Sequence, residues 1–134
     1  MIENTQKKFL KYLHFKRTAN YPHLIPYQEL LINFDVDSLE IRRKIDAMKF
    51  LFKIINNSID DSEFLSLLNF HVPRINSRNN ITFEIKRTRT SGHKNSPLNR
   101  LCYIFNTVAQ RNNAIDFSTS LTVFLMEFLT TLLK

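Results

Sequence analysis

A single glycine, Gly92, in 134 residues is the tightest constraint on what this chain can fold into. Tight hairpin turns need residues that accept positive φ, and glycine is the first of these. One glycine and four prolines argue against many short strands joined by tight turns, so helices joined by polar loops are expected. Hydrophobic residues make up 43% of the chain, enough for a packed core, and its length is that of one domain spanning 1–134. Twelve Phe and no Trp predict a core of Phe, Leu and Ile. The expected fold class is mainly α, with four to six helices and room for one short β-strand or hairpin near 81–89.

Spacing places the helices. Phe9, Tyr12 and Leu13 among lysines predict a first helix from Glu3 to Arg17, and Asn20, Pro22 and Pro26 end it. A short helix is expected over Tyr27 to Asn33. Ile41, Ile45, Met48, Phe52 and Ile55 recur every three or four residues, which predicts a helix over 38–56. Asp37 with Glu40 is read as its capping box, and Asp60 with Glu63 as the cap of a short helix carrying Phe64, Leu65, Leu67 and Leu68. Ile81, Phe83 and Ile85 alternate with Thr82, Glu84 and Lys86, the period of a half-buried strand. Residues 86–95 are expected as an exposed loop. Ser96-Pro97 opens a helix that Asn112-Asn113 closes. A last helix runs from Thr119 to Leu133, apolar nearly all round. Such a helix either closes the core or offers Leu121, Phe124, Leu125 and Phe128 to a protein partner.

Charge is placed unevenly. Residues 71–111 hold Arg74, Arg78, Lys86, Arg87, Arg89, Lys94, Arg100 and Arg111 against Glu84 alone, a balance of +7 that equals the net charge of the chain. Residues 1–20 carry +4, residues 21–70 carry −3 and residues 112–134 carry −1. A field of one sign attracts polyanions, nucleic acid first among them. Arg and Lys give charge-assisted bonds to phosphates, while Thr88, Thr90, Ser91, Asn95 and Ser96 add neutral donors. The competing reading is a solvated loop of ordinary surface charge. Phe83 and Tyr103 could stack bases, but buried core roles are expected for both.

Catalytic chemistry is sparse. The close acidic pairs are Asp35/Asp37 and Asp60/Asp61, and a capping role accounts for Asp60. His14, His23, His71 and His93 are scattered, and none stands at ligand spacing from Cys102 or another His, so no metal is expected. No glycine-rich phosphate loop exists, and no cofactor is expected. The lone Cys102 fits a reducing compartment, which predicts an intracellular protein of nucleus or cytoplasm. No membrane span is expected, because the most apolar run, Leu121–Leu133, is 13 residues long and a bilayer needs about 20.

Several runs resemble a known family. Ser38-Leu39-Glu40-Ile41-Arg42-Arg43-Lys44, Phe50-Leu51-Phe52-Lys53-Ile54-Ile55-Asn56-Asn57 and Phe70-His71-Val72-Pro73-Arg74 are similar to the region after the polymerase domain in jockey-like non-LTR retrotransposon reverse transcriptases. So are Arg87-Thr88, the stretch Asn95-Ser96-Pro97-Leu98-Asn99-Arg100-Leu101, Phe105-Asn106, and Ile115-Asp116-Phe117. The opening Gln6-Lys7-Lys8-Phe9-Leu10-Lys11-Tyr12-Leu13 looks like the helix that leads into that tail. Beyond Phe117 the likeness fades, since that family ends in a mixed polar segment. The resemblance implies a non-catalytic fragment or remnant of an RNA-directed DNA polymerase polyprotein, with template RNA or target DNA as its partner. Arg74, Arg78, Lys86, Arg87, Arg89, Lys94 and Arg100 are the residues expected to hold the nucleic acid.

Overall fold

The computed structural model describes residues 2–73, 81–85, 92, 96–112 and 115–132. Among these the fold is mainly helical, as expected. Six helices are described: α1 (Ile2–Thr18), α2 (Tyr27–Asn33), α3 (Leu39–Ile55), α4 (Ser62–Leu67), α5 (Pro97–Ala109) and α6 (Leu121–Leu132). The chain divides into two compact units, 1–44 and 45–134, with α3 running through the division.

In the first unit α1 packs on α2, burying Leu10 and Leu30. Gln6 ties this unit together. Its Oε1 accepts from the Leu39 N–H at 3.1 Å while its Nε2 donates to the Asp37 carbonyl at 3.1 Å, pinning the chain as it enters α3. The Tyr27 hydroxyl lies 2.9 Å from Gln6 Oε1 and 3.1 Å from Glu3 Oε1. Burial, and then the Glu3 carboxylate, hold the Tyr27 hydroxyl proton on and push its pKa up.

A chain with one glycine must end its helices on other residues. Ala19, Asp35 and Asn57 all take positive φ just past the ends of α1, α2 and α3. At Asp35 and Asn57 the paired bonds of a Schellman motif form. Asp35 N–H donates to Ile32 and Val36 N–H to Leu31, while Asn57 N–H donates to Ile54 and Ser58 N–H to Lys53. Asn and Asp enter this region at low steric cost, and Ala does not.

The caps differ from the sequence reading by one residue. Ser38, not Asp37, caps α3, its Oγ accepting from the Ile41 N–H at 3.3 Å. Glu40 instead pairs with Lys44 at 2.6 Å, which lowers its carboxyl pKa. Asp61, not Asp60, caps α4 through the Phe64 N–H at 2.9 Å. On α5 the expected cap stands: Ser96 Oγ accepts from the Asn99 N–H with Pro97 in the first turn.

The second unit carries the main core. Met48, Leu51 and Phe52 of α3, Leu68, Phe83, Leu101, Cys102 and Phe105 of α5, and Phe124 and Phe128 of α6 form one buried cluster. The partly buried Phe117 ring packs against it, with ring centres 4.7 Å from Phe105, 5.4 Å from Phe124, 6.1 Å from Phe83 and 6.3 Å from Phe52. Ile115 is buried beside it. Between the two, Asp116 turns outward and accepts from the Ser118 N–H and hydroxyl, which lower its carboxyl pKa. The Ile-Asp-Phe run is thus a plug: two apolar side chains enter the core on either side of a turn. Cys102 is buried, and burial pushes its thiol pKa up.

The strand expected from Ile81 to Ile85 is reduced to one antiparallel bridge, Phe83 opposite Phe70. His71 N–H donates to the Thr82 carbonyl at 2.9 Å and Glu84 N–H to the Asn69 carbonyl at 2.8 Å. The rest of the 81–89 hairpin expectation, residues 86–89, lies outside the described residues.

Candidate functional site

The other edge of the bridged segment is held by a side chain instead of a strand. Asn106 of α5 is buried, and its Oδ1 accepts from the Thr82 N–H at 3.2 Å and the Phe83 N–H at 3.0 Å. Its Nδ2 donates to the Phe83 carbonyl at 2.7 Å. One amide therefore serves three backbone groups that would otherwise be desolvated without partners. Residues 81–85 are fixed between this amide and residues 69–71, and Phe83 is driven into the core.

Fixing that segment against α5 creates a groove of about 490 Å³. Phe83, Glu84 and Ile85 line one side, Tyr103, Thr107 and Gln110 the other. The sequence positions that enter and leave the basic stretches begin at this groove. His71 stands shortly before residues 74–80, Ile81 follows them, and Ile85 precedes Lys86.

Of the residues expected to hold nucleic acid, Arg100 is described, exposed in the first turn of α5. Arg74, Arg78, Lys86, Arg87, Arg89 and Lys94 lie outside the described residues. Arg100 belongs to a longer exposed stripe. Tyr103 and the half-buried Thr107 follow it at helical spacing, and the exposed Gln110 and Arg111 come just past the end of α5, while Leu101, Cys102, Phe105, Val108 and Ala109 fill the opposite, buried arc. The expectation for Phe83 holds, since it is fully buried. That for Tyr103 does not: its side chain is 63% exposed, because position 103 falls outside the arc that contains 101, 102, 105 and 108. Sequence reasoning missed Asn106 as well. Its signal was a polar amide on the apolar side of a helix.

The other candidate surface is largely taken up by the core. Phe124 and Phe128 of α6 are fully buried in the core, and Leu121 and Leu125 pack against it. Phe124 and Phe128 thus help to close the core of this unit, while Leu121 and Leu125 stay partly exposed. Of the aspartate pair at 60–61, Asp61 is accounted for by the α4 cap. Among the described residues no group of three or more His, Cys, Asp or Glu side chains could hold a metal ion, and no helix is long and apolar enough to cross a membrane.

Comparison with models of protein families, with curated proteins and with solved structures yields no match to this chain.

Proposed function

We propose that this chain is a non-catalytic, basic nucleic-acid-binding module that acts inside the cell, in nucleus or cytoplasm. Its resemblance to the tail of jockey-like non-LTR reverse transcriptases gives the proposed origin, a remnant of a retroelement polyprotein. The observation that carries the reading is the exposed face of α5. Arg100 stands on it and Arg111 just past its end, beside neutral hydrogen-bonding groups, within a stretch of sequence whose balance is +7. The ion pairs among the described residues, Lys44 with Glu40 and Lys49 with Asp46, are local pairs on α3, and Arg100 and Arg111 carry none. Exposed arginines without carboxylate partners are available to phosphates. Arg74, Arg78, Lys86, Arg87, Arg89 and Lys94 complete the proposed binding set from the same stretch.

Binding of this kind releases counterions. Affinity for duplex DNA or for a homopolymeric RNA should fall with salt, with a log–log slope of about 0.9 per duplex phosphate contact or about 0.7 per single-strand contact. Fluorescence anisotropy across a salt series measures it. A flat salt response, or no binding at low ionic strength, removes the proposal.

A further inference from the structure

We infer that the nucleic acid accepted by this face is single-stranded, with an unpaired base stacked on Tyr103 above the groove between α5 and residues 81–85; the inference rests on the nucleic-acid reading above.

Three observations lead there. First, Tyr103 presents a largely exposed aromatic ring on a helix whose other large apolar side chains face inward or are partly covered. A flat ring held on a rigid helix offers a π-face to any base, whatever its identity, and this is how sequence-tolerant single-strand binders gain affinity. Second, the groove beside it carries Glu84, with Thr107 and Gln110 across from it. A carboxylate at a groove wall repels phosphate, so the backbone of a bound strand runs elsewhere and the groove is left to the bases. Third, the cations sit where such a backbone would pass. Arg100 stands in the first turn of α5 and Arg111 in the turn just past its end, so the two exposed arginines flank the face that carries Tyr103. A strand following the outer side of α5 meets both arginines and turns its bases toward Tyr103 and the groove. A duplex cannot do this. Its bases are already stacked, and it would bring phosphates against Glu84.

The test compares the full chain with Tyr103→Ala and Tyr103→Phe on three probes: poly(U), poly(A) and a mixed-sequence DNA duplex. Single strands should bind more tightly than the duplex at equal salt. Tyr103→Ala should weaken single-strand binding about tenfold, within the range for one stacked base, and leave duplex binding unchanged. Tyr103→Phe keeps the ring and should stay within about twofold of the parent chain. Circular dichroism of both variants checks that the exposed substitution leaves the helices intact. Equal affinity for duplex and single strands, or an unaltered Tyr103→Ala, overturns the single-strand inference while salt-dependent binding still supports the basic module. Loss of affinity in Tyr103→Phe equal to that in Tyr103→Ala overturns stacking in favour of a hydroxyl contact. Absence of binding to all three probes at low salt overturns both readings.

Discussion

Removing the Asn106 amide strands three backbone groups at once. The Thr82 and Phe83 N–H groups lose their acceptor and the Phe83 carbonyl loses its donor. The Phe83 groups are buried, so water cannot replace the lost partner without opening the core. Each unsatisfied buried group costs about 1–3 kcal/mol, and relaxation recovers part of it. Asn106→Ala is therefore expected to destabilise the unit by about 2–4 kcal/mol, read from the urea midpoint. Asn106→Asp separates the two halves of the role. It keeps an acceptor for both N–H groups but sets an oxygen against the Phe83 carbonyl, so it should also destabilise the unit at neutral pH. A loss below about 1 kcal/mol in Asn106→Ala would mean that the bridge to residues 69–71 suffices alone to hold Phe83.

Helix ends show what scarcity of glycine does at the scale of elements. Asp35 and Asn57 fill positive-φ positions with side chains suited to them, whereas Ala19 brings a Cβ to a conformation that disfavours it by about 1–2 kcal/mol. Ala19→Gly removes that penalty but gives the unfolded chain more freedom. The net expectation is a stabilisation of about 0.5–1 kcal/mol, seen as a higher thermal midpoint. No gain would indicate that the end of α1 frays and never holds the strained conformation. The elements themselves were largely legible in the sequence. Apolar spacing located α3, and Ser96-Pro97 fixed the start of α5. The caps of α3 and α4 were read one residue early because Asp37-Ser38 and Asp60-Asp61 each offer two adjacent capping residues. Helix phase, set by which side must be buried, chooses between them. Tyr103 was misplaced for a related reason: Cys102-Tyr103-Ile104 reads as an apolar run, and phase alone shows that 103 faces out. The one-bridge strand depends on the pairing of Phe70 with Phe83 and its Asn106 anchor on a contact across 23 residues, which no local pattern contains.

At the scale of the whole molecule, two stretches of positive charge compete for the same role. Residues 1–20 carry +4, largely on α1, and residues 71–111 carry +7. A polyanion drawn by net charge alone would not distinguish them, because long-range attraction depends on total charge and screening rather than on site. A built interface would distinguish them, since only phosphates in direct contact contribute to the salt slope. Paired variants resolve the alternatives. Arg100→Ala with Arg111→Ala removes two exposed cations from the stripe that holds Tyr103, and Lys7→Ala with Lys8→Ala removes two exposed cations from α1. Each pair lowers the net charge by the same amount, and substitutions at such exposed positions should change stability by no more than about 0.5 kcal/mol each. On poly(U) the arginine pair is expected to reduce the log–log salt slope by about 1.4, two single-strand contacts of about 0.7 each, and the lysine pair to leave it unchanged. Equal, small reductions from both pairs would make the attraction a property of total charge, and a drop confined to the lysine pair would move the interface to α1. The slope discriminates where affinity alone cannot, because both pairs weaken long-range attraction but only one takes contacts out of the complex.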